Sequence, residues 1–145
     1  MKTIALAVTV CGVLASGAVR ADDAMAPVNQ FVDSLNAGDV KKAAAAHLPN
    51  SPIIDEFAPH HWNSFGAWLR DFVADSKKNK VTDVHVTLAA PTTSTVGAKE
   101  AYEVIPNTID AKADGKPTQE KGVFTFALVK TAHGWRIASW AWANQ

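Results

Sequence analysis

Residues 120–144, EKGVFTFALVKTAHGWRIASWAWAN, constrain the fold more than any other stretch, because they alternate side-chain character along two arms joined by a turn. In the first arm Val123, Thr125, Ala127 and Val129 share one face and Phe124, Phe126 and Leu128 the other, the period of two that marks a strand with a buried side. The second arm sets Trp135, Ile137, Ser139 and Ala141 against Arg136, Ala138, Trp140 and Trp142. Thr131, Ala132, His133 and Gly134 connect them, and Gly134 can take the positive φ that short hairpin loops need. Three of the five tryptophans fall on the second arm. Both faces therefore need cover, one from helices and the other from a ligand, a partner subunit or neighbouring strands. Parity does not say which face lines a cavity.

The opposite end reads as a processing signal. Lys2 precedes an uncharged, mostly apolar run, and Val19 and Ala21 are small residues suited to cleavage before Asp22, with cleavage after Ala18 as the alternative. Residues 1–21 are expected to leave as a signal peptide, taking the single cysteine, Cys11, with them. An exported domain without cysteine relies on its core rather than on disulfides. Loss of Lys2 and Arg20 leaves 12 basic against 14 acidic residues, a balance with no nucleic-acid signature. The expected organisation is a signal peptide at 1–21, a short flexible lead-in at 22–26 and one domain at 27–145, periplasmic or secreted and with no membrane attachment after processing.

Three helices are expected before the main sheet. Val28, Phe31, Val32 and Leu35 form one stripe, with Pro27 in the first turn and Gly38 at the end, predicting a helix over 27–37. Asp39 caps a second helix over 40–48, ended by Pro49. Ile53 and Ile54 suggest a short strand in a proline-rich loop. A third helix starts near Asn63 or Ser64, carries Phe65, Trp68, Leu69 and Phe72 on one side and stops at Lys77–Lys80. From Val81 onward the chain reads as strand and turn, with Pro91 marking an edge or bend, and Asp114-Gly115 a hairpin. Helices first and a meander afterwards predict an α+β fold, with the helices packed on one face of a strongly bent antiparallel sheet.

The first helix followed by LNAGDV (35–40), the loop IIDEF (53–57), the aromatic segment WNSFGAWL (62–69) and the ending GVFTFALVK…HGWRIASWAWA resemble, in that order, the NTF2-like superfamily and its SnoaL-like branch. The resemblance spans residues 26–143. It implies a cone-shaped NTF2-like (cystatin-like) fold, in which a curved sheet wraps a long helix and leaves a pocket at the open end, and a homodimer as partner state. The superfamily includes isomerases, dehydratases, epoxide hydrolases and polyketide cyclases, and also members without catalysis, so fold alone does not assign function. The first helix has Phe31 and no tyrosine, so the oxyanion-stabilising tyrosine that a resemblance to a ketosteroid isomerase would imply there is absent. With only Arg70 and Arg136 in the mature chain, the arginine between two aspartates of an epoxide hydrolase is not evident either.

Few residues carry candidate chemistry. Asp55 and Glu56, between apolar Ile54 and Phe57, are candidate pocket bases or else solvated loop residues; a carboxylate in an apolar cavity moves toward a neutral pKa and can exchange protons. His47 lies on the apolar side of the second helix, either as a third candidate acid/base or as a satisfied core histidine. Phe57, Trp62, Trp68, Phe124, Trp140 and Trp142 are candidate ligand-binding aromatics, with His85 and Tyr102 as polar candidates on the strands. His60 and His61 are adjacent and point to opposite sides of an extended chain, so no metal site is expected, and no phosphate loop or nucleophile motif suggests a cofactor. Two functions remain: an exported module binding a small apolar or aromatic molecule, and an isomerase, dehydratase or cyclase using a pocket carboxylate or histidine.

Overall fold

The computed structural model describes residues 21–145; the expected signal peptide lies outside them except for Ala21. Three helices, α1 (Ala21–Asn36), α2 (Val40–Ala45) and α3 (Phe65–Lys78), pack on a seven-stranded sheet. α1 begins earlier than its proline suggests. Residues 22–26, expected as a flexible lead-in, form its first turns, because Ala24 extends the buried stripe of Val28, Phe31 and Val32 by one turn. Pro27 sits inside the helix, where the absent N–H removes only one backbone hydrogen bond.

α2 stops three residues short of the expected Leu48. Asp39 caps it by accepting from the Lys42 N–H at 3.0 Å. Beyond Ala45 the backbone leaves the helix to dock on a strand: the Ile137 N–H donates to the Ala46 carbonyl at 2.9 Å and the Ile137 carbonyl accepts from the Leu48 N–H at 2.8 Å. α3 starts as expected after Ser64, whose hydroxyl accepts from the Ala67 N–H.

The strands are β1 (Ile53–Ile54), β2 (His61–Trp62), β3 (Val81–Leu88), β4 (Thr93–Val96), β5 (Glu100–Ala113), β6 (Lys116–Thr131) and β7 (Gly134–Asn144). Their order is β2-β1-β7-β6-β5-β3, with β4 also on β5. The sheet is antiparallel except that β1 runs parallel to β7. Asp114 and Gly115 both take positive φ, 49° and 76°, as the tight β5–β6 turn requires, and Gly134 has φ 95° at the β6–β7 turn.

The expected strict alternation on β7 fails at one residue. Ala127 pairs with Ser139 while its neighbour Leu128 pairs with Ile137, so Ala138 is a bulge. One extra residue reverses the parity. Trp135 and Ile137 therefore lie on the same face as Trp140 and Trp142, opposite Leu128, Phe126 and Phe124, and all are buried. The sequence pattern had placed Ile137 on the other face. Here α1 seals the sheet: Phe31 stacks on Trp140 at 5.7 Å between ring centres and meets Phe124 and Phe126 edge-on. The outer face, with Val123, Ala127, Val129 and Ala141, is half-buried.

Candidate functional site

The curved sheet and the helices leave a cavity of about 350 Å³ where the β5–β6 hairpin extends past the core. Its aromatic wall comes from Phe31 on α1, Trp68 and Phe72 on α3, Phe124 on β6 and Trp140 and Trp142 on β7. Aliphatic surface comes from Val81, Val84 and Val86 of β3 and Ile109, Ala111 and Ala113 of β5. The loop between β1 and β2 closes one side with Asp55, Glu56 and Phe57. Trp68 and Phe72 are one helical turn apart and stack at 4.9 Å, so the i, i+4 spacing of α3 builds that wall directly.

Asp55 is the most enclosed acid here. Its Oδ2 accepts the Trp68 indole N–H at 2.8 Å and its Oδ1 accepts the Glu56 backbone N–H at 2.7 Å. Burial pushes its pKa above the ordinary carboxylate value; the two hydrogen bonds pull it back, and the charges of Glu56 and Glu120 push it up again. Glu56 is exposed and does structural duty as well, since its Oε1 accepts the Asn144 N–H at 2.6 Å and fastens the end of β7.

His47, the third candidate base, belongs to the core. It is buried, stacks on Phe65 at 4.5 Å and does not line the cavity. Trp140 donates its indole N–H to His47 Nε2 at 3.1 Å, so the ring proton sits on Nδ1, which donates to the Ala43 carbonyl at 2.9 Å. Burial lowers its pKa to about 4, against the smaller opposing effect of the Ala43 bond. A neutral imidazole with both nitrogens engaged behind Trp140 has no proton to exchange with a ligand.

The ligand-binding candidates divide cleanly. Phe57, Trp68, Phe124, Trp140 and Trp142 line the cavity. Trp62 does not: it is buried on β2 against Phe57 and donates to Asp71 at 2.9 Å. His85 is exposed on β3, on the face opposite Val84 and Val86. Tyr102 pairs with Ala127 and is 45% exposed on the outer side of the sheet. Asp75 and Glu120 line the cavity and were not singled out from sequence. The signal was present, because Asp75 continues the α3 stripe of Trp68 and Phe72, and Glu120 shares the parity of Phe124.

The three indole donors in this wall are already committed, while the hydroxyls of Ser76 and Thr118 also line it. Trp68 donates to Asp55, Trp140 to His47, and Trp142 to Asn107 Oδ1 at 3.1 Å. What the indoles offer the cavity is ring surface, beside the carboxylates of Asp55, Glu56, Asp75 and Glu120. Among the described residues, no three His, Cys, Asp or Glu side chains gather closely enough to hold a metal ion.

A family model described as a SnoaL-like domain matches residues 25–142. No curated protein sequence matches the chain. Among solved structures, an NTF2-like superfamily protein from Salmonella enterica superposes with TM-score 0.72 at 16% identity, covering 86% of this chain and 89% of the other. A protein of Shewanella frigidimarina described as a proposed ketosteroid isomerase gives 0.67 at 21% identity, covering 83% and 94%. One from Streptomyces avermitilis, described as a proposed dehydratase of the NTF2-like family, gives 0.71 at 13%, covering 86% and 95%. At these identities the likeness establishes the fold.

Proposed function

Because this chain belongs to the SnoaL-like domain family and has the NTF2-like fold, we propose that it binds a small apolar or aromatic molecule in the cavity between α3, β3 and the β5–β6 hairpin, without catalysing its conversion. The observation that carries this reading is the engagement of all three cavity indoles with protein acceptors. An isomerase or dehydratase working through an enolate-like intermediate needs a donor aimed at the developing negative charge, and that interaction is a large part of its rate. Here the indole donors point to Asp55, His47 and Asn107 instead. Apolar walls with a fixed carboxylate suffice for binding and orientation.

Acid/base catalysis by Asp55 is the second reading. Its support is the placement of a half-buried carboxylate with a raised pKa in the cavity, the position a general base occupies. The proposed activities of the Shewanella and Streptomyces neighbours point the same way. Residues 1–21 support export, and the half-buried apolar outer face supports a homodimer.

Native mass spectrometry of protein from the exported fraction tests the binding reading. The account expects a small-molecule adduct on the wild-type chain that is absent from Ala111→Trp, a substitution that fills the cavity from β5. An adduct retained at full occupancy by the folded variant contradicts the cavity assignment. Turnover of the recovered ligand by wild type, lost in Asp55→Asn, favours the catalytic reading instead.

A further inference from the structure

The ligand of this cavity is an organic cation, we propose: an aromatic or apolar amine, or a quaternary ammonium. The inference rests on the binding reading above and names the chemistry the cavity selects.

Four carboxylates, Asp55, Glu56, Asp75 and Glu120, line the cavity, and among the described residues no Lys, Arg or His does. The two cations at the β3 and hairpin end that have acidic partners are paired with them: Lys80 with Asp114 and Lys112 with Asp83, both at 2.7 Å. Lys116, on the inner-face parity of Thr118 and Glu120, lies at the hairpin tip outside the lining. Glu56 and Glu120 both act on Asp55 as neighbouring negative charges, so the acids are close enough to share one field. A neutral apolar ligand would leave that repulsion unrelieved, an anion would add to it, and a cation removes it.

The aromatic wall is an independent observation with the same implication. Trp68, Trp140 and Trp142 direct their N–H edges, the positive rim of the indole, to protein acceptors. One face of Trp68 is stacked on Phe72 and one of Trp140 on Phe31, so these rings meet the cavity with the surface those contacts leave, and their π electrons attract an ammonium group, most strongly for tryptophan and when the pair is shielded from water. Asp55, Glu56, Asp75 and Glu120 offer acceptors to the hydrogens of an ammonium ligand, beside the hydroxyls of Ser76 and Thr118. Inorganic cations are a poorer match, because no three of these acids converge on one point.

Three phenyl-bearing probes test the charge: benzyltrimethylammonium, its neutral isostere neopentylbenzene, and the anion 3-phenylpropanoate, each titrated by NMR into the folded protein. The expected result is binding of the cation about tenfold or more tighter than the isostere, with no binding of the anion. Glu120→Gln, at an exposed position, is expected to reduce the cation's advantage several-fold and leave the isostere's affinity unchanged. Equal or tighter binding of the isostere, or preference for the anion, overturns the charge assignment while leaving the cavity a binding site. Failure of all three to bind overturns both readings.

Discussion

Trp68 and Asp55 meet across the cavity edge, the indole Nε1–H of one donating to Oδ2 of the other at 2.8 Å. The bond ties the β1–β2 loop to α3 and holds a carboxylate beside an aromatic wall. Removing water from Asp55 favours its protonated form, whereas the indole N–H favours the anion. The balance keeps an acid at the cavity rather than turning it out to solvent.

Trp68→Phe keeps most of the wall and deletes that donor, so the Asp55 pKa is expected to rise further. A folded pKa above the ordinary 3.8 means that the contribution of Asp55 to stability is full below 3.8 and is lost as pH rises through the folded value. The variant's deficit is therefore larger at pH 7 than at pH 3, by about 1.5–3 kcal/mol for a hydrogen bond to a charged group. NMR titration of the Asp55 carboxyl, with urea unfolding at both pH values, checks it. An unchanged Asp55 midpoint would contradict the opposing-influence account.

His47 sets a second pH dependence. Its folded pKa of about 4 lies below the ordinary 6.5, so its contribution is intact above pH 6.5 and is lost as pH falls from there toward 4. The shift corresponds to about 3 kcal/mol across that window. Replacing His47 with Gln, which keeps an acceptor for Trp140, is expected to flatten the stability profile between those pH values. A profile of unchanged slope means another group is responsible.

Gly122 is required by a close approach. A Cβ there would fall 2.5 Å from ring atoms of Trp142, whose indole crosses β6 to reach Asn107 on β5. Gly122→Ala is expected to cost about 1–3 kcal/mol, the range for overpacking a fitted core, and to displace Trp142 from the cavity wall. Urea unfolding together with the Trp142 indole resonance measures both. A variant as stable as wild type with that resonance unmoved would show that the sheet yields there at no cost.

Local pattern made much of this legible. The stripe of Phe65, Trp68 and Phe72, the Ser64 cap, the Asp114-Gly115 turn and the alternation of β6 are short-range features, and each predicts its element. The α+β class follows from their order. What escaped depends on tertiary contact. Nothing local marks Ala138 as a bulge, and one missed residue put Ile137 on the wrong face. α2 ends where the chain pairs with Ile137, 91 residues away by their numbers in the Ala46–Ile137 bond. At the site, Asp55 and the tryptophans were visible as types, while the partners that decide their roles, Trp68 for Asp55 and Trp140 for His47, lie 13 and 93 positions away. His47 was placed on the apolar side of its helix, and only its neighbours separate a core histidine from a base.

The outer face makes a prediction about assembly. Val123, Ala127, Val129 and Ala141 are half-buried in a single chain, and Tyr102 is exposed beside them. A homodimer through this face is expected to give concentration-dependent sedimentation at micromolar protein, weakened by Ala127→Glu. A monomer at all concentrations contradicts it.

The central claim, that the cavity is where this protein meets its ligand, is tested most directly by the indole N–H resonances during titration with aromatic amines. Trp68 and Trp142 line the cavity, whereas Trp62 and Trp135 do not, so one spectrum carries its own control. The account predicts saturable shifts of Trp68 and Trp142 with Trp62 and Trp135 unmoved. Shifts confined to Trp62 or Trp135, with Trp68 and Trp142 silent, would contradict it.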